Sequence, residues 1–300
     1  MFQTYLDFVV ERHRIWEMRQ LGIPAPWTQD PILQTNKFCN VFRLLDHGSQ
    51  FVARDLLGDP ELPGEEVLLR AYLYRMTNIP DAFETFRIEH GHYPFTEDVH
   101  AGRWLATLQG IRERRGRIFG SAYRIQLGKE NAGIEKHVWI DQTARDYFGE
   151  KAPYRLWPIF SETETLEGRV AVLSTLPRIA NFLAMQIATD YGYHPAGGDV
   201  ENEWIVAGLG AVRGIRRLSA DADTTDYIHF ARERVLELDD CPTIPLADGS
   251  RRGPSLMDIQ NTFCEFDKYM RHLGKEVRPR RYIPAHEGVQ PEPFVPSHWN

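Results

Sequence analysis

The sequence predicts a mainly α fold, and three observations point to it. Apolar residues recur at three- and four-residue spacing along most of the 300 residues, the period of helices that bury one face. Helix starts are marked by cap chemistry, as at Asp30-Pro31 and at Pro63-Gly64-Glu65-Glu66, where a side-chain acceptor or a proline suits the free amides of a first turn. Strand patterning is scarce. The segment 117–127 (RIFGSAYRIQL) is the best candidate, rich enough in β-branched and aromatic residues to predict a small β hairpin.

In chain order, residues 2–20 read as an amphipathic helix, with Phe2, Leu6, Val9, Val10, His13 and Trp16 at helical intervals. Gly22, Pro24 and Pro26 end it. Asp30 caps a helix that runs from Ile32 to about His47, with Phe38, Val41, Phe42 and Leu45 facing inward. Pro63 opens another helix through Met76. Further helices are expected at 80–90, 97–112, 135–148, 164–174, 177–192, 223–238 and 255–273. Loops are expected around 92–95, 149–163, 193–199 and 240–254. The expected organisation is one helical domain over 1–283, with room for two lobes, and an extended Pro-rich tail over 284–300.

Composition narrows the class. With 42% hydrophobic, 12% aromatic and 26% charged residues, the chain is of globular type. No run approaches the ~20 apolar residues that span a bilayer. The start, MFQTYLDFVVERHR, lacks a basic stretch followed by an apolar run, so no secretory signal is expected. Cys39, Cys241 and Cys264 are odd in number and widely spaced, which argues against a disulfide framework or a CxxC zinc site and for a reducing compartment.

The net charge of -7 argues against a nucleic-acid ligand, but its distribution argues for one. Segments 111–129, 210–217 and 268–281 carry +5, +3 and +5, so the remainder carries -20. Basic islands in an acidic field can focus an anionic ligand. The bland alternative is a set of solvated helix faces.

Common catalytic signatures are missing from these residues: GxxxxGK[ST], HExxH, GxSxG and a strand–GxGxxG–helix unit. Gly208-Leu209-Gly210-Ala211-Val212-Arg213-Gly214 follows an expected helix end at Glu203–Ala207 and precedes a short helix. A helix–glycine turn–helix can hold a nucleic-acid phosphate on backbone amides and a helix dipole, with Arg213, Arg216 and Arg217 beside it. A tight αα-corner is the competing reading. Lys37, Asn40 and Arg43 lie three apart, which on a helix makes one polar stripe, able to read a base edge beside a phosphate. A solvent-facing stripe fits equally simple chemistry. Glu265 and Lys268 share a face with Asn261, and Arg271 follows. A carboxylate beside a cation could serve as general base at a departing phosphate; a surface ion pair is the ordinary case. Cys264 fits a buried packing residue better than a nucleophile. The histidines show no ligand spacing, so no metal site is assigned.

Three stretches together resemble one family: IPAPWTQDPIL (23–33) with KFCNVFR (37–43) and Asp46; GLGAVRGI (208–215); and LMDIQNTFCEFDKYMR (256–271). They resemble the α-glutamyl/putrescinyl thymine pyrophosphorylases, or amino acid:DNA transferases, which are related to the helical domain of 5-hydroxymethyluracil DNA kinases. The match runs in order over about residues 5–283. It implies a helical fold akin to helix-hairpin-helix DNA glycosylases and a role in thymidine hypermodification, chiefly in bacteriophages. The absence of a P-loop from these residues disfavours the kinase reaction. The implied substrate is 5-pyrophosphoryloxymethyl-uracil in DNA, flipped out of the duplex and attacked by an amino acid or polyamine. The implied location is the cytoplasm, that of the infected host for a phage protein.

Under this resemblance Asn40 reads the uracil edge. Lys37, Arg43, Lys268 and Arg271 bind pyrophosphate or strand phosphates. Glu265 or Asp267 deprotonates the amine, with Asp30 in reserve and Asp190 ranked lower. Gly208, Gly210, Arg213, Gly214 and Arg216 grip the DNA backbone. No cofactor is assigned, and Mg²⁺ assistance stays open; a Mg²⁺ on the pyrophosphate would draw on carboxylates such as Asp30, Asp46 and Glu265. Two departures stand out. The window where glycosylases of that fold carry a catalytic Asp, 229–236, holds Glu233 but no Asp. Leu209 stands where a proline is expected. A glycosylase-like hydrolase of a modified thymine and a non-catalytic DNA-binding module remain the alternatives.

Overall fold

The computed structural model describes residues 1–299 except 117, 121–125, 132 and 278–290. It is mainly helical, as the apolar period requires. In chain order the helices are α1 (Phe2–Gln20), α2 (Pro31–Thr35), α3 (His47–Gln50), α4 (Gly64–Thr77), α5 (Pro80–His90), α6 (Thr96–His100) and α7 (Arg103–Arg115). There follow α8 (Lys136–Tyr147), α9 (Trp157–Ser161), α10 (Leu166–Leu173), α11 (Asn181–Tyr191), α12 (Leu209–Leu218), α13 (Thr224–Leu236) and α14 (Leu256–Leu273). A single-turn π-helix, Phe51–Leu56, follows α3 directly. The chain forms two compact units, Met1–Asp46 with Trp204–Asn300, and His47–Glu203.

The second unit is built round α4, whose residues Val67–Thr77 are all buried. It packs against α11 and α8. Phe83 meets Trp104 with ring centroids 4.9 Å apart, and Tyr72 meets Phe148 at 5.0 Å. Asp190 lies here, fully buried, and its carboxylate takes the Arg75 guanidinium through Nε and Nη2. That buried pair leaves Asp190 a packing role.

The first unit is organised by α14. Three of its faces meet three different elements, as helical periodicity allows. Thr262, Phe263 and Phe266 turn to α1: the Tyr5 hydroxyl lies 2.7 Å from the Thr262 hydroxyl, and the Tyr5 ring stacks on Phe263 at 4.3 Å. Gln260, Phe263, Cys264 and Asp267 turn to α12. Asp258, Asn261, Glu265 and Lys268 turn to the segment 36–46. The start of α14 is a reciprocal cap, with Asp258 N–H donating to Ser255 Oγ and Ser255 N–H to Asp258 Oδ2. At the end of the chain, Trp299 is buried beneath the Arg252 guanidinium, 4.1 Å from the ring centroid.

Several expectations need correction. The helix begun at Asp30 ends at Thr35, so 32–47 is not one helix. Residues 36–42 form an irregular segment, with bends at 36, 41 and 42, that leads into a 3₁₀ turn at Arg43–Leu45. Phe38, Val41, Phe42 and Leu45 are buried nonetheless; their spacing suits a loop pressed into a core as well as a helix. Residues 204–207 ahead of α12 are not helical. Two helices, α6 and α7, replace the one expected over 97–112, broken at Gly102 with φ +79°. Of the hairpin expected at 117–127, residues 117 and 121–125 lie outside the described residues, and 118–120, 126 and 127 carry no strand. The two-stranded antiparallel sheet found pairs Ile244–Pro245 with Arg251–Arg252, inside a segment expected to be loop. Residues 284–290 of the tail lie outside the described residues.

Candidate functional site

The two segments that the sequence singled out, 30–46 and 258–271, come together in the first unit. The Glu265 carboxylate accepts the Cys39 amide at 2.9 Å and lies 3.4 Å from Lys268 Nζ. Lys268 Nζ also donates to the Lys37 carbonyl and sits 4.5 Å from the Phe38 ring centroid. The Asn261 side chain donates to the Asn40 carbonyl at 3.3 Å. One face of α14 thus staples an irregular segment through its backbone.

Arg12 supports that segment from α1. It is buried, yet it donates to the Phe38 carbonyl at 3.1 Å and to Asn40 Oδ1 at 2.8 Å. Asn40 Nδ2 donates to the Leu45 carbonyl at 2.7 Å, and the Asn40 amide to Asp46 Oδ1 at 2.8 Å. Asn40 is therefore engaged inside the loop at both ends of its side-chain amide. Burial pushes the Asp46 carboxyl up to about 6, partly offset by the Asn40 amide and the Arg12 charge. Burial, with Asp46 and Glu265 nearby, also pushes the Cys39 thiol well up. Arg12 and Cys39 carry no site role in the sequence reading, and Asp46 only that of a carboxylate available to Mg²⁺. Position 12 carried the signal, a charge on the inward face between Val9 and Ile15.

The polar stripe proposed for Lys37, Asn40 and Arg43 does not exist, because the backbone there is not helical. Lys37 is exposed, and Arg43 is buried with its amide donating to Asp258 Oδ1 at 2.7 Å. Asp30 caps α2, accepting the Ile32 and Leu33 amides at 2.7 and 3.1 Å, and its other oxygen takes the Tyr269 hydroxyl at 2.6 Å. Its lone pairs are engaged in structure.

On the adjoining face, Asp267 gathers three arginines. Its carboxylate lies 3.1 Å from Arg213 Nε, 2.9 Å from Arg217 Nε and 3.2 Å from Arg271 Nε. Burial alone would raise its pKa; the hydrogen bonds from Arg217 and Arg213 and the Arg271 charge outweigh it and hold the carboxyl below its ordinary value. An acid so held is a poor proton acceptor. Arg217 spends its outer nitrogens on Glu276, at 3.2 and 3.0 Å. Arg213 and Arg271 approach Asp267 through Nε, and their outer nitrogens are the edge that a phosphate takes. Arg213 is 58% exposed and Arg271 35%. Arg216, on the same helix, is exposed. Two basic islands thus meet on α12 and α14, and the first island belongs to the other unit.

The glycines do something other than expected. Gly208 donates its amide to Gln260 Oε1 at 3.0 Å. Gly210 and Gly214, one turn apart, lie against α14: a Cβ on Gly210 would fall 2.3 Å from Cys264 Sγ, and one on Gly214 would fall 2.2 Å from the Phe263 carbonyl oxygen. Both permit close helix packing that places Arg213 over Asp267. Cys264 fills the space under Gly210, and burial pushes its thiol up to about 11, so it packs rather than attacks. No group of three or more metal-ligating side chains is found among the described residues. No described helix is long and apolar enough to cross a membrane.

The curated "5-hmdU DNA kinase" of Bacillus phage SP10 is 27% identical over 205 residues, covering 64% of this chain and 31% of that protein. The chain thus spans about a third of that relative's length. No solved structure matches. The family model described as "5-hmdU DNA kinase, helical domain" matches residues 1–278, and that match places the chain in the family of these helical domains.

Proposed function

We propose that the chain works in thymine hypermodification, transferring an amine onto 5-pyrophosphoryloxymethyl-uracil in DNA. The amine nitrogen bonds to the exocyclic methylene carbon, the carbon–oxygen bond to pyrophosphate breaks with its electron pair on the leaving oxygen, and the ammonium proton passes to a base. Arg213 and Arg271 hold the departing pyrophosphate or the flanking strand phosphate, where charge gathers as the bond breaks. Glu265, which accepts the Cys39 amide and lies beside Lys268, takes the proton. Lys268 stands one turn from both Glu265 and Arg271, so base and anion-binding groups follow one another along α14. The observation that carries this reading is the convergence of Arg213 and Arg271 on Asp267, beside the Glu265–Lys268 pair.

The test is pyrophosphate release from DNA carrying the modified base, with an amine supplied. Release should appear with the wild type and fall at least about a hundredfold with Arg213→Ala/Arg271→Ala, the order expected when even one of the two anion-stabilising groups is lost. No release under any amine would refute it.

A second reading has one observation in its favour. Glu265 and Lys268 are both spent on stapling the 37–40 segment, which suits a module that presents DNA to a catalytic partner domain. DNA binding without pyrophosphate release would favour it over transfer.

A further inference from the structure

Arg217 is the third arginine on Asp267, and a second carboxylate covers it. Its Nε lies 2.9 Å from Asp267 Oδ1, while Nη1 and Nη2 lie 3.2 and 3.0 Å from the two Glu276 oxygens. A carboxylate seated on that fork takes the edge that fits a phosphate. Three arginines against Asp267 leave two positive charges on this face, and Glu276 cancels one of them.

The chain past α14 is shaped to bring Glu276 there. Helix α14 ends at Leu273, and Lys275 takes φ +56°, in the left-handed region that few side chains adopt. The Glu276 amide closes this turn by donating to the Arg271 carbonyl at 2.8 Å. Gly274 leaves room for the side chain to fold back, since a Cβ there would lie 3.1 Å from Glu276 Oε1. Hydrogen bonds from Arg217 hold the Glu276 carboxyl below its ordinary value, so it is charged at neutral pH. The pair is nonetheless solvated, with Arg217 28% and Glu276 46% exposed. An ion pair so exposed is weakly held, and a doubly charged anion can displace it.

We infer that Arg217 is a third anion-binding arginine beside Arg213 and Arg271, and that Glu276 occupies its fork until a phosphate displaces it. The ligand is a phosphate group, that of a DNA strand or of free pyrophosphate. The inference deepens the proposed function and rests on its reading of the arginine face as anion-binding.

Equilibrium binding to the intact chain tests it, with inorganic pyrophosphate and an unmodified DNA duplex as separate probes. Glu276→Gln should tighten binding of at least one probe about threefold to fivefold, the scale of one solvated ion pair. Tighter pyrophosphate assigns the fork to the leaving group; a tighter duplex alone assigns it to the strand. In an Arg217→Ala background, Glu276→Gln should change nothing. Asp267 keeps Arg213 and Arg271 in that background, and a thermal melt checks the fold. Glu237→Gln is the control: it frees Arg234 from another exposed ion pair of the same unit, at 2.8 Å, and should leave both affinities unchanged. Three results would overturn the inference: wild-type affinities in Glu276→Gln, a gain that survives Arg217→Ala, or the same gain from Glu237→Gln. Any of these leaves the anion-binding face standing. Binding of neither probe by wild type or variant would overturn that reading and the inference with it.

Discussion

Gly210 and Cys264 stand so close that a methyl group on the glycine would lie 2.3 Å from the cysteine sulfur. Gly214, four residues on, is equally tight against the Phe263 carbonyl oxygen, at 2.2 Å. Alanine at either position adds helix propensity worth ~1 kcal/mol but overpacks the α12–α14 contact by about 1–3 kcal/mol. A backbone oxygen cannot swing away as a side chain can. Gly214→Ala should therefore lower stability in urea melts more than Gly210→Ala. Cys264→Ala should rescue Gly210→Ala and leave Gly214→Ala unrelieved. Equal effects of the two alanines would contradict this packing.

Asp267 should matter most near neutral pH and least in acid. Its folded pKa lies below the unfolded value, so its contribution is present above the unfolded value near 4 and disappears as pH falls through the folded one. Asp267→Asn should remove about 1–2 kcal/mol at pH 7, less than a fully buried pair because the arginines are partly solvated. The loss should shrink toward pH 3. A variant as stable as wild type at pH 7 would show that the three arginines need no anchor.

Asp46 has the opposite sign. Its folded pKa, about 6, exceeds the unfolded value. Its contribution is therefore complete below the unfolded value and declines as pH rises from about 4 through the folded value. Carboxyl-carbon NMR should find Asp46 and Asp141 both titrating near 6, and only the Asp46 signal absent in Asp46→Asn. The same variant should flatten the decline in stability across that window.

The arginine face predicts a salt signature. Arg213→Ala/Arg216→Ala should weaken binding to any duplex and reduce the slope of log K against log salt by about 1.8, close to 0.9 per phosphate contact. Arg54→Ala, whose side chain pairs with Asp55 in the other unit, is the control. An unchanged slope in the double variant would place the DNA elsewhere.

Much of the fold was legible because its signals are local. The Asp30 cap with Pro31, the reach of α1 and the boundaries of α13 and α14 follow from caps and periodicity within one segment. The segment 36–46 was not. Its shape depends on Arg12, Asp258, Glu265 and Lys268, most of them more than 200 residues away. Its apolar spacing cannot distinguish a helix from a loop fastened by those contacts. The site was legible in its parts: the Glu265–Lys268 pair and Arg271 stand on one helix. Asp267 as a shared anchor for Arg213 and Arg217 was not, since that pairing spans about fifty residues. The glycines were visible but ambiguous, because a four-residue glycine interval serves a packed helix face as well as a phosphate turn.

The transfer itself is the central claim, and nucleoside mass spectrometry tests it most directly. DNA carrying 5-pyrophosphoryloxymethyl-uracil would be incubated with the protein and a pool of amines and amino acids, then digested. The account predicts a new nucleoside heavier than thymidine by one amine substituent, present with wild type and lost with Glu265→Gln. An unchanged nucleoside profile from a protein that binds the DNA would contradict it, and free base with abasic sites would establish a glycosylase instead.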